Sequence, residues 1–463
     1  MRPEHVGTPQ QFALASGYLA AFFASHAIHA LATPFFQMTR ALDPFLLSVV
    51  ITFPMLFSML LSGRIGRLCD GMGAQPKRRA LQGAGWVSGT AFAMMWMASA
   101  NWSDAATLAY LAVIGVVFYL ASTLLIISLR SMTFALSSTA SETLKVMSFT
   151  ALFERLGGVL YFWLFPLAQL GIWTSLTAGI RAVGVFVGAG LIGGLTHFCA
   201  NRINLGTQRS NMASDFATHP QVSPNLPVEV KNALLILLTL IGIKVGLIGA
   251  FTSLDFYLLV YYVSGGDIAE GALWKGALST SFAVFSMMMI PVCLRIALRI
   301  GARGTLKWIY TLSVIGSCAK WYIYTPGNQA WLFLDALLGS ASFVALTAIV
   351  PAMLNQLSHR QAEESQQAVH GYFASRQSMV MQGSILTALL LGGGLLNVFG
   401  FDASLEGQQD IGTITAFRYV LAWGTAFLNC VSLMLVFIYP KIDKTTYVRA
   451  ESMPVNKENQ CQQ

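Results

Sequence analysis

Almost the whole chain is a succession of apolar stretches, each long enough to cross a lipid bilayer and each followed by a short polar or charged interval. The segment from Pro44 to Gly63 is the clearest, with 20 residues and no charge. At the helical rise of about 1.5 Å per residue, roughly 20 apolar residues match a hydrocarbon core about 30 Å thick. Water is absent from that core, so every backbone amide must find its partner within its own segment, and a bundle of helices follows. With 55% hydrophobic and only 10% charged residues, the composition agrees. The expected fold class is an all-α membrane protein.

A net charge of +8 would point to nucleic acid in a soluble chain. Here the excess Lys and Arg sit in alternate intervals, where they act as orientation signals, so no nucleic-acid partner is expected. The six cysteines (Cys69, Cys199, Cys293, Cys318, Cys430 and Cys461) show neither CxxC nor Cys/His spacing, so no metal, no cofactor and no disulfide framework is expected. The polar leader Met1 to Gln10 lacks a small-residue cleavage site, so no cleaved signal is expected.

Apolar length and loop polarity predict twelve spans, at 11–36, 44–63, 80–100, 105–129, 147–170, 175–199, 232–263, 271–298, 308–325, 330–357, 371–398 and 413–439. The longest polar interval, 200–231, divides them into halves of six, giving bundles at 1–199 and 232–440 and a tail at 441–463. Arg64, Arg67, Lys77, Arg78, Arg79, Lys145, Arg202, Arg209, Lys231, Arg295, Arg299, Arg303, Lys307 and Arg360 all follow even-numbered spans or lie at their ends. Asp104, Asp267, Glu270, Asp402, Glu406 and Asp410 follow odd-numbered ones. The positive-inside rule then places both termini and the 200–231 linker in the cytoplasm; the expected location is a bacterial inner (plasma) membrane.

The interval after span 2 reads GRIGRLCDGMGAQPKRR, with Gly66, Asp70, Gly73, Lys77, Arg78 and Arg79 as its framework. A weaker echo, RIALRIGARGTLK, follows span 8. This arrangement resembles the Gly-x-x-x-Asp-x-x-Gly loop of the major facilitator superfamily, which implies two six-helix bundles rocking about a central site. In that reading the glycines permit a tight turn and Asp70 caps a helix or pairs with a base.

A narrower resemblance comes from SRQSMVMQGSILTALLLGGGLLNVFGF, residues 375–401, together with Arg418 and the closing Tyr439-Pro440. This is similar to helix XI and its exit loop in the glycoside–pentoside–hexuronide:cation symporters, the melibiose permease group. The resemblance also implies where the chain departs. The two helix II aspartates of the coupling-cation site fall on Ser58 and Ser62, and the helix XI lysine falls on Gln382. The helix I aspartate falls on His26, and the helix V arginine on Ala151, with Arg155 one turn deeper. Acids and base are lost together, which argues against the family's sodium site.

Charges within the hydrocarbon region are costly unless paired or facing water, so each is a candidate for function. Lys244 and Asp255 share span 7, eleven residues apart. A regular helix would put them on one face about 16 Å apart, each with a partner elsewhere or bracketing a polar cavity. Glu154 and Arg155 are adjacent in span 5 and diverge by about 100°, so at most one faces a cavity squarely. His26 and His29 share part of one face of span 1, and His26 titrates near neutral pH. Lys320 and Asp335, on either side of a short loop, can pair with each other, while Arg181, Arg376 and Arg418 read as anchors.

Together these features predict a monomeric secondary transporter of a small solute, glycoside-like, with proton-linked or atypical coupling. Substrate or proton contacts are assigned to His26, Arg155, Lys244, Asp255 and Glu154, with Ser58, Ser62 and Gln382 as neutral replacements in the former cation site. A lysolipid carrier of the same fold and a transporter-like sensor without net flux are the alternatives. No catalytic motif is present, so no enzyme is expected.

Overall fold

The computed structural model describes residues 7–40, 44–99, 101–137, 139–203, 226–365, 367–401 and 409–440. Most of the 200–231 interval, the tail from 441, Asp402, Glu406 and the side chain of His29 lie outside the described residues.

Twelve helices account for those residues, and no strand occurs among them. In chain order they are α1 (Thr8–Arg40), α2 (Pro44–Gly71), α3 (Ala74–Met95), α4 (Asp104–Leu136), α5 (Ala140–Ala168) and α6 (Leu176–Arg202). The second half contributes α7 (Val228–Val263), α8 (268–300), α9 (302–323), α10 (Gln329–Ser365), α11 (His370–Val398) and α12 (Ile411–Ile438). Several begin at polar caps, as short polar side chains favour. Ser103, Thr139 and Ser175 accept from the amides of Ala106, Glu142 and Ala178 to open α4, α5 and α6.

Within the first bundle α1 packs on α5, α2 on α4, and α3 on α4 and α6. Small residues bring helices close: Gly89 of α3 and Gly188 of α6 meet backbone to backbone with no space for a Cβ on either. In the second bundle α8 and α9 pack on α10 and α12. The bundles meet through α2 and α4 against α11, and through α5 against α8 and α10.

Three details differ from the sequence reading. The motif after span 2 is not a loop, because α2 continues through it to Gly71. Gly66 is therefore a helical residue, and the turn is left to Met72 and Gly73. Helix α7 is not regular either. It contains π-helical turns at Gly242–Leu247 and Leu259–Val263 and a break at Ser253 and Leu254, so the eleven-residue spacing of Lys244 and Asp255 does not define one face. Finally, α8 and α9 are joined through Gly301 alone, whose φ of 81° and ψ of 164° belong to glycine. The helix breaks there, and Arg303 just beyond donates to the carbonyls of Val436 and Phe437 at the end of α12.

Candidate functional site

At the end of the bundle that carries the basic intervals, Asp70 crosses between the halves. Its carboxylate accepts from the Gly371 amide at 2.5 Å and the Tyr372 amide at 2.7 Å. Those are the second and third residues of α11, whose own N-cap, Val369, supplies no side-chain bond. Asp70 thus caps α11 from another helix, meeting two orphan donors and the positive end of the helix dipole. Gly66, one turn back, allows the approach: a Cβ there would stand 2.5 Å from Ser375 and 2.6 Å from the Gly371 carbonyl oxygen. Lys77 donates to Ser131 of α4, and Arg78 to Asn201 at the end of α6, while Arg79 is exposed. Gly73 has an ordinary φ of −63° and room for a Cβ, so it supplies no turn that only glycine permits.

The same end is fastened a second time. Asn355 of α10 donates to the Ser137 carbonyl and to the hydroxyls of Ser137 and Thr143. His359, one turn on, meets the carbonyls of Phe134 and Ser137 at 2.7 and 2.9 Å. Neither residue was singled out from the sequence, since a polar residue near a helix end carries no signal until its neighbour is known.

Deeper in, Arg155 reaches from α5 into the other bundle. Its guanidinium donates to Ser286 of α8 at 3.1 Å and lies 4.7 Å from the Phe282 ring and 4.5 Å from the Phe343 ring. Its Nε is buried and without a hydrogen-bond partner. Gly158 lies beside it: a Cβ there would stand 3.8 Å from the Phe22 ring and 4.0 Å from the Arg155 guanidinium. That ring stacks on His26 at 4.5 Å and 18°, and the exposed His26 keeps its Nδ1 3.0 Å from the Phe22 carbonyl oxygen. His26 and Arg155 are thus brought to one locality where α1, α5, α8 and α10 converge. Glu154 points elsewhere, as the 100° divergence requires: its electrostatic partner is Arg130 of α4, a residue the sequence reading passed over.

Ser58 and Gln382 do come together. Ser58 donates to the Gln382 Oε1 at 3.4 Å, Gln382 donates to Thr123 of α4 at 2.9 Å, and Ser62 donates to the Ser58 carbonyl. The result is a neutral hydrogen-bonded link across α2, α4 and α11. Among the described residues no cluster of three His, Cys, Asp or Glu side chains could hold a metal ion.

Arg181 of α6 donates to the carbonyls of Trp96 and Ala98, and further charges lie in the second bundle. Asp255 is held by both oxygens at 2.6 Å to Lys275 of α8. Lys275 is the partner that the sequence reading left unnamed. Lys320 and Asp335 do pair, at 2.7 Å, with the Tyr324 hydroxyl adding a bond to the same oxygen at 3.1 Å. Asp335→Asn, which strands the Lys320 charge, is expected to cost about 3–5 kcal/mol, read as a lower melting temperature in detergent. Lys244 sits in a π-helical turn with no hydrogen bond or ion pair of its own among the described residues, and the charges that act on it are the already paired Lys320 and Asp335.

Among the described residues eight helices are long and apolar enough to span a membrane by length and composition, and the one over Leu273–Ile323 is broken at Gly301. The family described as "MFS/sugar transport protein" matches residues 13–444. The chain belongs to this family. It is a multi-pass membrane transporter of the major facilitator superfamily, as both motifs implied. No curated protein sequence matches it significantly. Its fold is similar to that of a bacterial homologue of the iron transporter ferroportin in an outward-facing state, with a TM-score of 0.64, 13% identity, and 93% of this chain and 99% of that one covered. The proton:xylose symporter XylE gives 0.61, 15%, 93% and 95%. The transporter FucP in an outward conformation gives 0.58, 12%, 93% and 98%. For this major facilitator, then, the candidate site is the locality where helices from both bundles meet around Arg155 and His26.

Proposed function

We propose that this transporter carries a sugar-type solute by alternating access, with coupling that does not use sodium. The observation that carries the reading is Arg155, a cation from one bundle held by Ser286, Phe282 and Phe343 of the other, so that a bound solute must touch both moving bodies at once. Planar guanidinium forks and aromatic faces are suited to hydroxylated ligands. His26 supplies the titratable group beside it, and XylE is itself a proton:xylose symporter. The Ser58–Gln382–Thr123 link offers hydroxyl and amide oxygens and no carboxylate, a poor substitute for a sodium site.

In this reading residues 1–199 and 232–440 are the rocking bodies, the basic end is cytoplasmic, and the Asp70 cap on α11 is the cytoplasmic latch. The test is uptake of labelled glycosides and hexuronates into proteoliposomes under imposed pH or sodium gradients. Uptake driven by the pH gradient, indifferent to sodium and reduced about tenfold in Arg155→Gln, is the expected result; a tenfold loss corresponds to about 1.4 kcal/mol. Sodium-driven uptake, or an unchanged Arg155→Gln, would contradict it.

A further inference from the structure

One contact between the bundles is made by a group that can change its charge. His359, near the end of α10, places its Nε2 2.7 Å from the Phe134 carbonyl oxygen and 2.9 Å from that of Ser137. Both partners are acceptors, so Nε2 carries a hydrogen and donates to α4 whatever the state of Nδ1. Helix α4 ends at Leu136 with Ser137 as its cap, so these carbonyls belong to the negative end of the helix. A proton taken up at Nδ1 would set a full positive charge against that end and strengthen both bonds.

The neighbouring ring is placed the other way. His370 lies 4.8 Å from His359, ring to ring. It is the first residue of α11, at the positive end of that helix. Its Nδ1 is 2.9 Å from the Ser358 hydroxyl, whose own hydrogen goes to the Asn355 carbonyl. Two imidazolium rings so close repel each other, and the two helix dipoles decide which one takes the proton. It is His359.

Other charged groups stand on the elements packed around this end of α10. Arg360 of α10 is offset by Glu364 and by Glu229 of α7, with Glu363 on the same turn and Lys231 further along α7. Helix α5 brings Glu142 and Lys145, α8 brings Arg295 and Arg299, and Arg130 of α4 faces Glu154. Asp70 caps the two amides that follow His370.

We propose that His359 is a proton-dependent clamp between the bundles, its imidazolium form holding the basic end closed on the C-terminus of α4. The clamp uses the rocking of the two bundles proposed above and nothing about the solute or its coupling. The closed form holds the added proton more tightly than the open form, in which His359 loses the α4 carbonyls. The closed fraction therefore rises as the pH falls through the range where imidazole titrates, and it declines as the pH rises. Asp70 acts in the opposite sense, because a protonated carboxyl gives up its charge-assisted cap on α11. The direction of the response separates the two groups.

The test is a distance measurement by pulsed electron resonance on the purified full chain. Spin labels are placed at Gln75→Cys of α3 and Asn232→Cys of α7, exposed positions on the two bundles, with the native cysteines replaced by alanine. From about pH 8 to about pH 5.5 the ratio of short to long distances is expected to rise about tenfold, matching a tenfold tighter hold on the proton in the closed form. His359→Gln keeps an N–H donor without a titrating group, and its distances are expected to ignore pH. His370→Gln and His26→Gln are expected to keep the response.

Distances in the parent that do not change with pH would overturn the proposal. So would opening as the pH falls, which assigns the titration to Asp70, or a response that survives His359→Gln. Loss of the response in His26→Gln would overturn it too, by moving the proton to the cavity. The readout involves no solute, so absent sugar uptake with an intact distance response would count against the proposed cargo and leave the clamp standing.

Discussion

Asp70→Ala is expected to open the basic end of the bundle and to lower the population of the form closed there about 100-fold. The carboxylate makes two charge-assisted bonds to the first turn of α11, from Gly371 and Tyr372. Bonds to a charged group contribute about 1.5–3 kcal/mol each, and part of that is recovered when water reaches the freed amides. A net loss of about 3 kcal/mol is a factor of about 100 in the ratio of closed to open forms. Ser375 is the reporter, because it is buried against Gly66 at this junction. In a Ser375→Cys background, thiol labelling from the basic side should accelerate by at least tenfold when Asp70 is removed, and flux should fall with the loss of the closed form. Unchanged labelling would mean that Asn355 and His359 hold the end shut without Asp70.

Gly66→Leu is expected to be at least as damaging, for a different reason. The added Cβ would collide with the Ser375 side chain and with the backbone of Gly371, and backbone cannot swing away as a long side chain can. Overpacking of this kind costs about 1–3 kcal/mol where neighbours can adjust, and here it acts on the closed form alone. The protein should still fold, yet transport should fall to background. Gly73→Ala is the matched control within the same motif. Its Cβ would find its nearest neighbour, Pro76, at 3.9 Å, so uptake should stay within twofold of the wild type. Equal loss from both substitutions would return the motif to a role in the turn itself.

The outline of the fold was legible because a bilayer enforces a simple rule. Long apolar runs with charged ends can only be spans, and Pro44–Gly63 states that rule without ambiguity. The Lys320–Asp335 pair was legible for a related reason, since a short loop leaves the two side chains little choice. What resisted reading depended on distances between segments remote in sequence. Asp70 and Gly371 are 301 positions apart, and no local pattern announces that one caps the other's helix. Gly66 was read as a turn residue, because glycine in a short polar interval usually is one, whereas its use here is to let α2 and α11 touch. The shared face of Lys244 and Asp255 was misread because α7 was treated as a uniform helix, and a π turn admits an extra residue that shifts everything beyond it; Lys275 went unnamed because it stands on the next helix. Of the site itself, the residue types at positions 26 and 155 could be picked out from depth and chemistry. Their meeting through Phe22 and Gly158 required the packing of α1 on α5.

The single-residue corner at Gly301 has a mechanical side. A longer connection would let α8 and α9 tilt independently, but one glycine between two rigid rods transmits torque like a welded elbow. Arg303 bolts that elbow to the last turn of α12, so three helices share one stiff joint at the basic end. Any tug that Arg155 exerts on Ser286 is applied partway along one arm of this lever. The other arm carries Lys320, which is paired with Asp335 of α10. In the proposed rocking motion, a change a few ångströms wide at Arg155 is geared into the swing of a whole bundle, with no compliant loop in which the stroke can be lost.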